Sequence, residues 1–294
     1  MFTNLDDLSK SLAYYGLTLS LVLVASLLYP VLGGLVIVVA MYSPLASVLL
    51  MQLVVTPDGR TRAGWASLGL HRPGLKGWPP ALLIPLAVIG GAYALAWGVG
   101  LAGYAMPDEL QEMGLWMLPA VALFEIVSHL LLTGALAEEI GWRGYLLPKL
   151  VSSIGPLRAL PLTGLLHGIW HLPIIFLTPL YHADGNWLIV VPMFLVGAPI
   201  WGIVVGYLRL RTDSVWPSAI LHAAHNVFWG IFRALAVASP LVAEYVVGES
   251  GIFTMLGYAA VVGAIIVMAR RREHRALVTN ASPSGRSIAT VGDA

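Results

Sequence analysis

Glu138 and Glu139 stand side by side in a chain that otherwise keeps charge out of its apolar stretches, and Arg143 follows four residues after the second. On a helix, neighbouring side chains point about 100° apart, whereas residues four apart share a face. Glu139 and Arg143 then form an ion pair in the acid-before-base order that suits a helix. Glu138 is left facing elsewhere, without a cation. A carboxylate kept from bulk water and free to take a proton is what a general base for water requires.

Two further clusters supply the remaining parts. His167 and His171 share a face at a spacing of four, and Pro173 fixes the backbone just beyond them. His222 and Asn226 share a face in the same way, with His225 turned about 100° from Asn226. Ala223 and Ala224 permit close helix approach, and imidazole or amide donors on one face can stabilise an oxyanion. Taken singly, the clusters also read as an acidic helix end, hydrogen-bonding histidines of a core, or polar glue between helices. Taken together, Glu138, His171, His222 and Asn226 make the inventory for amide hydrolysis, with Glu139, Arg143 and His167 in support. No serine has the setting of an activated nucleophile and cysteine is absent. A directly activated water is therefore favoured over an acyl-enzyme.

His167, His171 and His222 can also be assembled with Glu138 as a zinc site with a carboxylate base. Asn226 is a poor zinc ligand at a motif position, and the HExxH helix pattern is missing. The set is accordingly read as metal-free, with no cofactor and with zinc as the alternative. Glu125 and His129, four apart in mid-span, read as a hydrogen-bonded core pair that lowers the cost of burial. The alternative for them is a place in a substrate cavity or proton path. His71, His182 and His274 fall in or near loops and are given no role.

The elements that position these residues must lie in a membrane. Of 294 residues 58% are hydrophobic and 11% charged, with a mean hydropathy of +0.83, against about 25% charged in soluble domains. Ionisable groups at membrane depth cost roughly 2.5–3.5 kcal/mol each unless they line a cavity or meet partners. That three separated spans carry them implies one shared site. Apolar windows predict eight spans, at Ala13–Val39, Pro44–Val55, Trp78–Leu101, Trp116–Ala137, Leu160–Leu177, Trp187–Leu208, Trp216–Ala238 and Ile252–Ala269. Pro30 and Gly33-Gly34 can break the first, Met41–Pro44 can extend the second, and the fourth is expected to continue as a helix to about Leu147.

Basic residues gather in alternate connections, at Arg60–Lys76, Arg143–Arg158, Arg209–Arg211 and Arg270–Arg275, whereas the others carry Asp108, Glu109, Glu112, Asp184, Glu244 and Glu249. The positive-inside rule puts the basic connections and both termini in the cytoplasm. Arg233 is the exception, placed to snorkel or to pair with an acid. The expected fold is all-α, a polytopic integral membrane protein of about eight transmembrane helices with a cytoplasm-facing intramembrane cavity. Residues 1–279 make a single helical domain with its core motif region at about 121–232, and 280–294 a disordered cytoplasmic tail. The expected partners are the lipid bilayer and a membrane-anchored or hydrophobic peptide or protein substrate, with no nucleic acid.

At these residues the chain resembles the CAAX protease and bacteriocin-processing (Abi) family of intramembrane endopeptidases. Glu138, Glu139 and Arg143 match its EExxxR motif, His171 its aromatic-xxx-histidine motif, and His222 with Asn226 its histidine-xxx-asparagine motif. His167 stands where that family usually has an aromatic residue. The resemblance implies a glutamate-dependent peptidase of a bacterial or archaeal plasma membrane. In it Glu138 and His171 activate water, and His222 and Asn226 form the oxyanion hole. Family relatives cleave prenylated CAAX proteins or are linked to bacteriocin immunity and peptide processing. A transporter and a non-catalytic immunity or assembly protein remain as competing classes.

Overall fold

The computed structural model describes residues 4–183 and 185–281. Its long helices are α1 (Asp7–Leu27), α2 (Leu35–Val55), α3 (Trp78–Gly98), α4 (Leu118–Leu131), α5 (Ala135–Ile154), α6 (Pro156–Leu177), α7 (Trp187–Thr212), α8 (Trp216–Ala234) and α9 (Ile252–Ala281). Two-residue strands Gly103–Tyr104 and Ala236–Val237 pair antiparallel. Six helices among the described residues are long and apolar enough to cross a membrane, and seven if the bent pair α4–α5 is one span. The eighth expected span is α8, whose 19 residues have the length but whose histidines, asparagine and arginine dilute its apolarity. Large apolar side chains such as Val31, Leu83, Phe124 and Leu256 stay exposed, as helices facing lipid require.

Several boundaries differ from the apolar windows. The first window breaks at Leu28–Gly34, and its second half joins the short second window as α2. Met41–Pro44 lies inside that helix. The fourth window does not run on to Leu147: it stops at Leu131, and α5 leaves at a bend of 50°. Gly134, with φ +109°, makes the turn, and a Cβ there would sit 2.7 Å from the Met41 Cβ. Within α5, Ile140–Leu146 winds as a π-helix, a form that recurs at functional sites. At the other end of the chain α9 runs through Ala281, past the boundary expected at 280, and residues 282–294, where the tail was expected, lie outside the described residues.

The basic connections meet at one end of the bundle. Lys10 pairs with Asp58 at 2.7 Å, and Lys149 reaches Asp7 and Asp58. Buried Arg209 clamps that end, donating to the Ser67 carbonyl, the Arg143 carbonyl and Asp213. The acidic connections meet at the other end, where Tyr181 donates to Glu249, His182 contacts Glu244, and the Asn186 amide donates to the Tyr245 hydroxyl at 2.7 Å. Between the ends, Tyr14, Trp142, Tyr145, Leu146, Leu147 and Trp170 make a core shared by α1, α5 and α6. Helices α6 and α7 approach so closely at Gly164 and Gly202 that a Cβ on Gly202 would lie 2.5 Å from the Gly164 Cα. That contact sets the face of α6 bearing His167 and His171.

Candidate active site

The motif residues converge. Glu138, His167, His171, His222 and Asn226 line one cavity of about 620 Å³, within the size range of small-ligand sites. Behind its wall, Arg143 and Glu139 are wholly buried and paired at 2.8 Å, as the spacing of four predicts. The Arg143 guanidinium also stacks over Trp201 at 4.9 Å, a favourable cation–π contact. Glu139 accepts a second hydrogen bond, from His222 Nδ1–H at 3.0 Å. Helix α5 thus turns one carboxylate inward to a cation and leaves the other, Glu138, at the cavity.

Glu138 is not unpartnered, however. His167 Nε2 lies 2.9 Å from its Oε2, so the residue standing in the aromatic place, rather than His171, is the direct partner of the candidate base. Arg143 Nη1 lies 3.3 Å from His167 Nδ1. A guanidinium only donates, so Nδ1 accepts, Nε2 carries the proton, and His167 donates to the Glu138 carboxylate. The ring stacks on Trp142 at 4.9 Å between centroids, which keeps the aromatic packing of the position. His171 Nδ1–H donates to the His167 carbonyl at 3.0 Å, leaving its Nε2 as an acceptor for the cavity.

Donor atoms of Glu138, His167 and His171 lie within 4.8 Å of one another, close enough to share a metal ion. The hydrogen bonds already made argue against that use. The tautomer Arg143 imposes on His167 puts a proton on the very nitrogen that faces Glu138 and would have to ligate. To hold an ion, His167 Nε2 would have to release that proton and Arg143 would have to leave Nδ1.

Other expectations change. Glu125 and His129 both line the cavity, the place the alternative reading gave them. His225, turned from Asn226 as expected, still reaches the cavity and pairs through Nδ1 with the Tyr258 hydroxyl at 2.8 Å. Glu249, counted in the sequence only as an acid of a connection, lines the same cavity together with Tyr181, Trp201 and Tyr258. Burial, and then Glu249 itself, push the Tyr181 hydroxyl well up, so the phenol stays a donor. Leu180, Tyr181, Glu249 and Ser250 bring the cavity to the acidic end, and none of its lining residues belongs to the basic connections. The lining thus reaches toward the acidic end, whereas the sequence led to an opening at the basic one.

Residues 114–228 match the family model described as Type II CAAX prenyl endopeptidase Rce1-like. That stretch covers α4 to α7 and most of α8, and contains every motif residue from Glu125 to Asn226. Over this stretch the chain is similar to CAAX-type prenyl endopeptidases. It is also 41% identical over 61 residues to CAAX prenyl protease 2 of Methanococcus maripaludis. The match spans about a fifth of either protein, 21% of this chain and 22% of the relative. The apolar helices, together with the family-model match, make the chain an integral membrane protein. Glu249 and Tyr258 lie outside the matched stretch.

Proposed function

We propose that the chain is an intramembrane endopeptidase that hydrolyses a peptide bond with a water activated by Glu138, without a metal. The observation that carries this reading is the convergence of Glu138, His167, His171, His222 and Asn226 on one cavity. With Oε2 held by His167, Glu138 Oε1 takes the proton of a water that the His171 Nε2 orients. The water oxygen bonds to the scissile carbonyl carbon, and the carbonyl oxygen becomes an oxyanion. The Asn226 amide, half-buried and without a partner among the described residues, donates to it. His222 can add a second hydrogen bond only as an imidazolium, because its Nδ1–H is given to Glu139. As the carbon–nitrogen bond breaks, the proton on Glu138 passes to the leaving amine, and the carboxylate is restored.

The substrate is a membrane-anchored or hydrophobic peptide or protein. Apolar walls at Ile37, Met41, Ile174, Phe194 and Ile231 favour such a segment, with burial contributing about 25 cal/mol per Å². The protein sits in the plasma membrane of a bacterium or archaeon, with both termini cytoplasmic, as the basic connections favour. The test is cleavage of a lipid-anchored peptide by purified protein after chelation and metal analysis. Full activity in metal-free protein is expected. Activity that disappears on chelation and returns with stoichiometric zinc would replace this mechanism with the zinc alternative.

A further inference from the structure

The cavity that holds Glu138 also holds a polar group that the proposed hydrolysis leaves unused. Glu249 Oε2 accepts from the Tyr181 hydroxyl. Its Oε1 faces His225 Nε2 at 3.9 Å, too far for a hydrogen bond. His225 is 3% exposed, and its Nδ1 is engaged by Tyr258. In the tautomer that gives Nδ1–H to that hydroxyl, Nε2 is an acceptor with no hydrogen-bond partner among the described residues. In that tautomer a carboxylate oxygen and an imidazole nitrogen face one gap with no donor between them. No lysine or arginine lines the cavity among the described residues. The nearby cation, Arg143, is sealed behind the wall and neutralised by Glu139.

We propose that Glu249 and His225 form a subsite for a primary ammonium carried by the peptide substrate, either a lysine side chain or a free amino terminus. Three N–H donors on one tetrahedral nitrogen can serve the carboxylate and the imidazole together. The low dielectric of a membrane cavity strengthens a charge-assisted bond there. A substrate whose free carboxylate had to lie at this wall would meet Glu249 as a like charge and be rejected. The subsite rests on the peptidase reading only for the identity of its ligand as a peptide.

The test measures binding to the full chain carrying Glu138→Gln, so that turnover is not needed. Three lipid-anchored peptides of one sequence are compared: amino-acetylated with lysine, amino-acetylated with norleucine at that position, and norleucine with a free amino terminus. Lysine is scanned along the segment near the scissile bond. At least one ammonium peptide is expected to bind about tenfold or more tighter than the acetylated norleucine peptide, as truncating one side of a buried charge pair implies. Which of the two does so identifies the source of the ammonium. Glu249→Gln in the same background should bring the ratio close to one. Should that variant fail to fold, n-butylammonium is set against n-butanol as a competitor on the wild-type chain, and the cation should compete better. Equal affinities for all three peptides, a ratio that survives Glu249→Gln, or equal competition would overturn the subsite. Cleavage by the wild type without any ammonium preference would sink the subsite and leave the peptidase. Ammonium preference without cleavage of any peptide would do the reverse.

Discussion

Removing Arg143 should expose how the buried charges are balanced. In Arg143→Met the side chain keeps apolar contact with Trp201, but Glu139 loses its 2.8 Å partner while remaining wholly buried. Breaking a buried pair from one side costs about 3–5 kcal/mol, because the remaining charge has no compensation. His222 still donates to Glu139, which places the expectation near the lower figure. Glu139→Gln strands Arg143 instead, whose Nε and Nη2 already lack partners, so its cost should be as large. The double variant removes both charges and should regain at least half of the sum. The assay is thermal unfolding in one detergent for the four proteins, where each single variant should melt on the order of 10 °C lower. The coupling energy then follows from the cycle. Purely additive losses would mean that the pair is not a coupled unit.

On an acetylated neutral substrate, Asn226→Ala should lower the cleavage rate about 10²–10³-fold, as loss of one oxyanion donor does. His222→Ala should cost more than His225→Ala, and the opposite order would move the oxyanion site to His225. Because His222 must be doubly protonated to donate from both nitrogens, the rate should fall on the alkaline side in wild type. Asn226→Ala should keep that limb, and a flat profile would remove His222 from the oxyanion site. Gly134→Ala should destabilise the protein by about 1–3 kcal/mol or more, since φ is +109° and Met41 crowds the new methyl; unchanged melting would mean that the bend is not fixed there. Tags at either terminus and probes at 58–76 should report cytoplasmic, and probes at 108–112 and 246–251 the outer side. A C-terminus outside would reverse the placement of the two ends.

The Glu139–Arg143 pair was legible because a spacing of four survives even where the helix is wound as π. The convergence of Glu138 with the motif histidines was legible from the cost of polar groups at depth. The break at Gly134 was not, since an apolar run with one glycine reads as a continuous span until Met41 is seen against it. The role of His167 was only half visible. Its departure from an aromatic showed, but the hydrogen bond to Glu138 depends on Arg143 reaching the far ring nitrogen across two helices. Glu249 carries no local signal, because a carboxylate in a Gly-Glu-Ser-Gly turn looks like any loop acid. Tyr181, from a different connection, brings it to the cavity.

The most direct test of water activation is Glu138→Gln assayed in single turnover on a lipid-anchored peptide. Glutamine keeps the shape and can still accept from His167, so the folded fraction and melting temperature should stay close to wild type. The amide cannot take a proton from water, so the cleavage rate should fall by about 10²–10⁴-fold. A folded Glu138→Gln protein that retained more than about a tenth of the wild-type rate, outside that range, would contradict the assignment of Glu138 as the base.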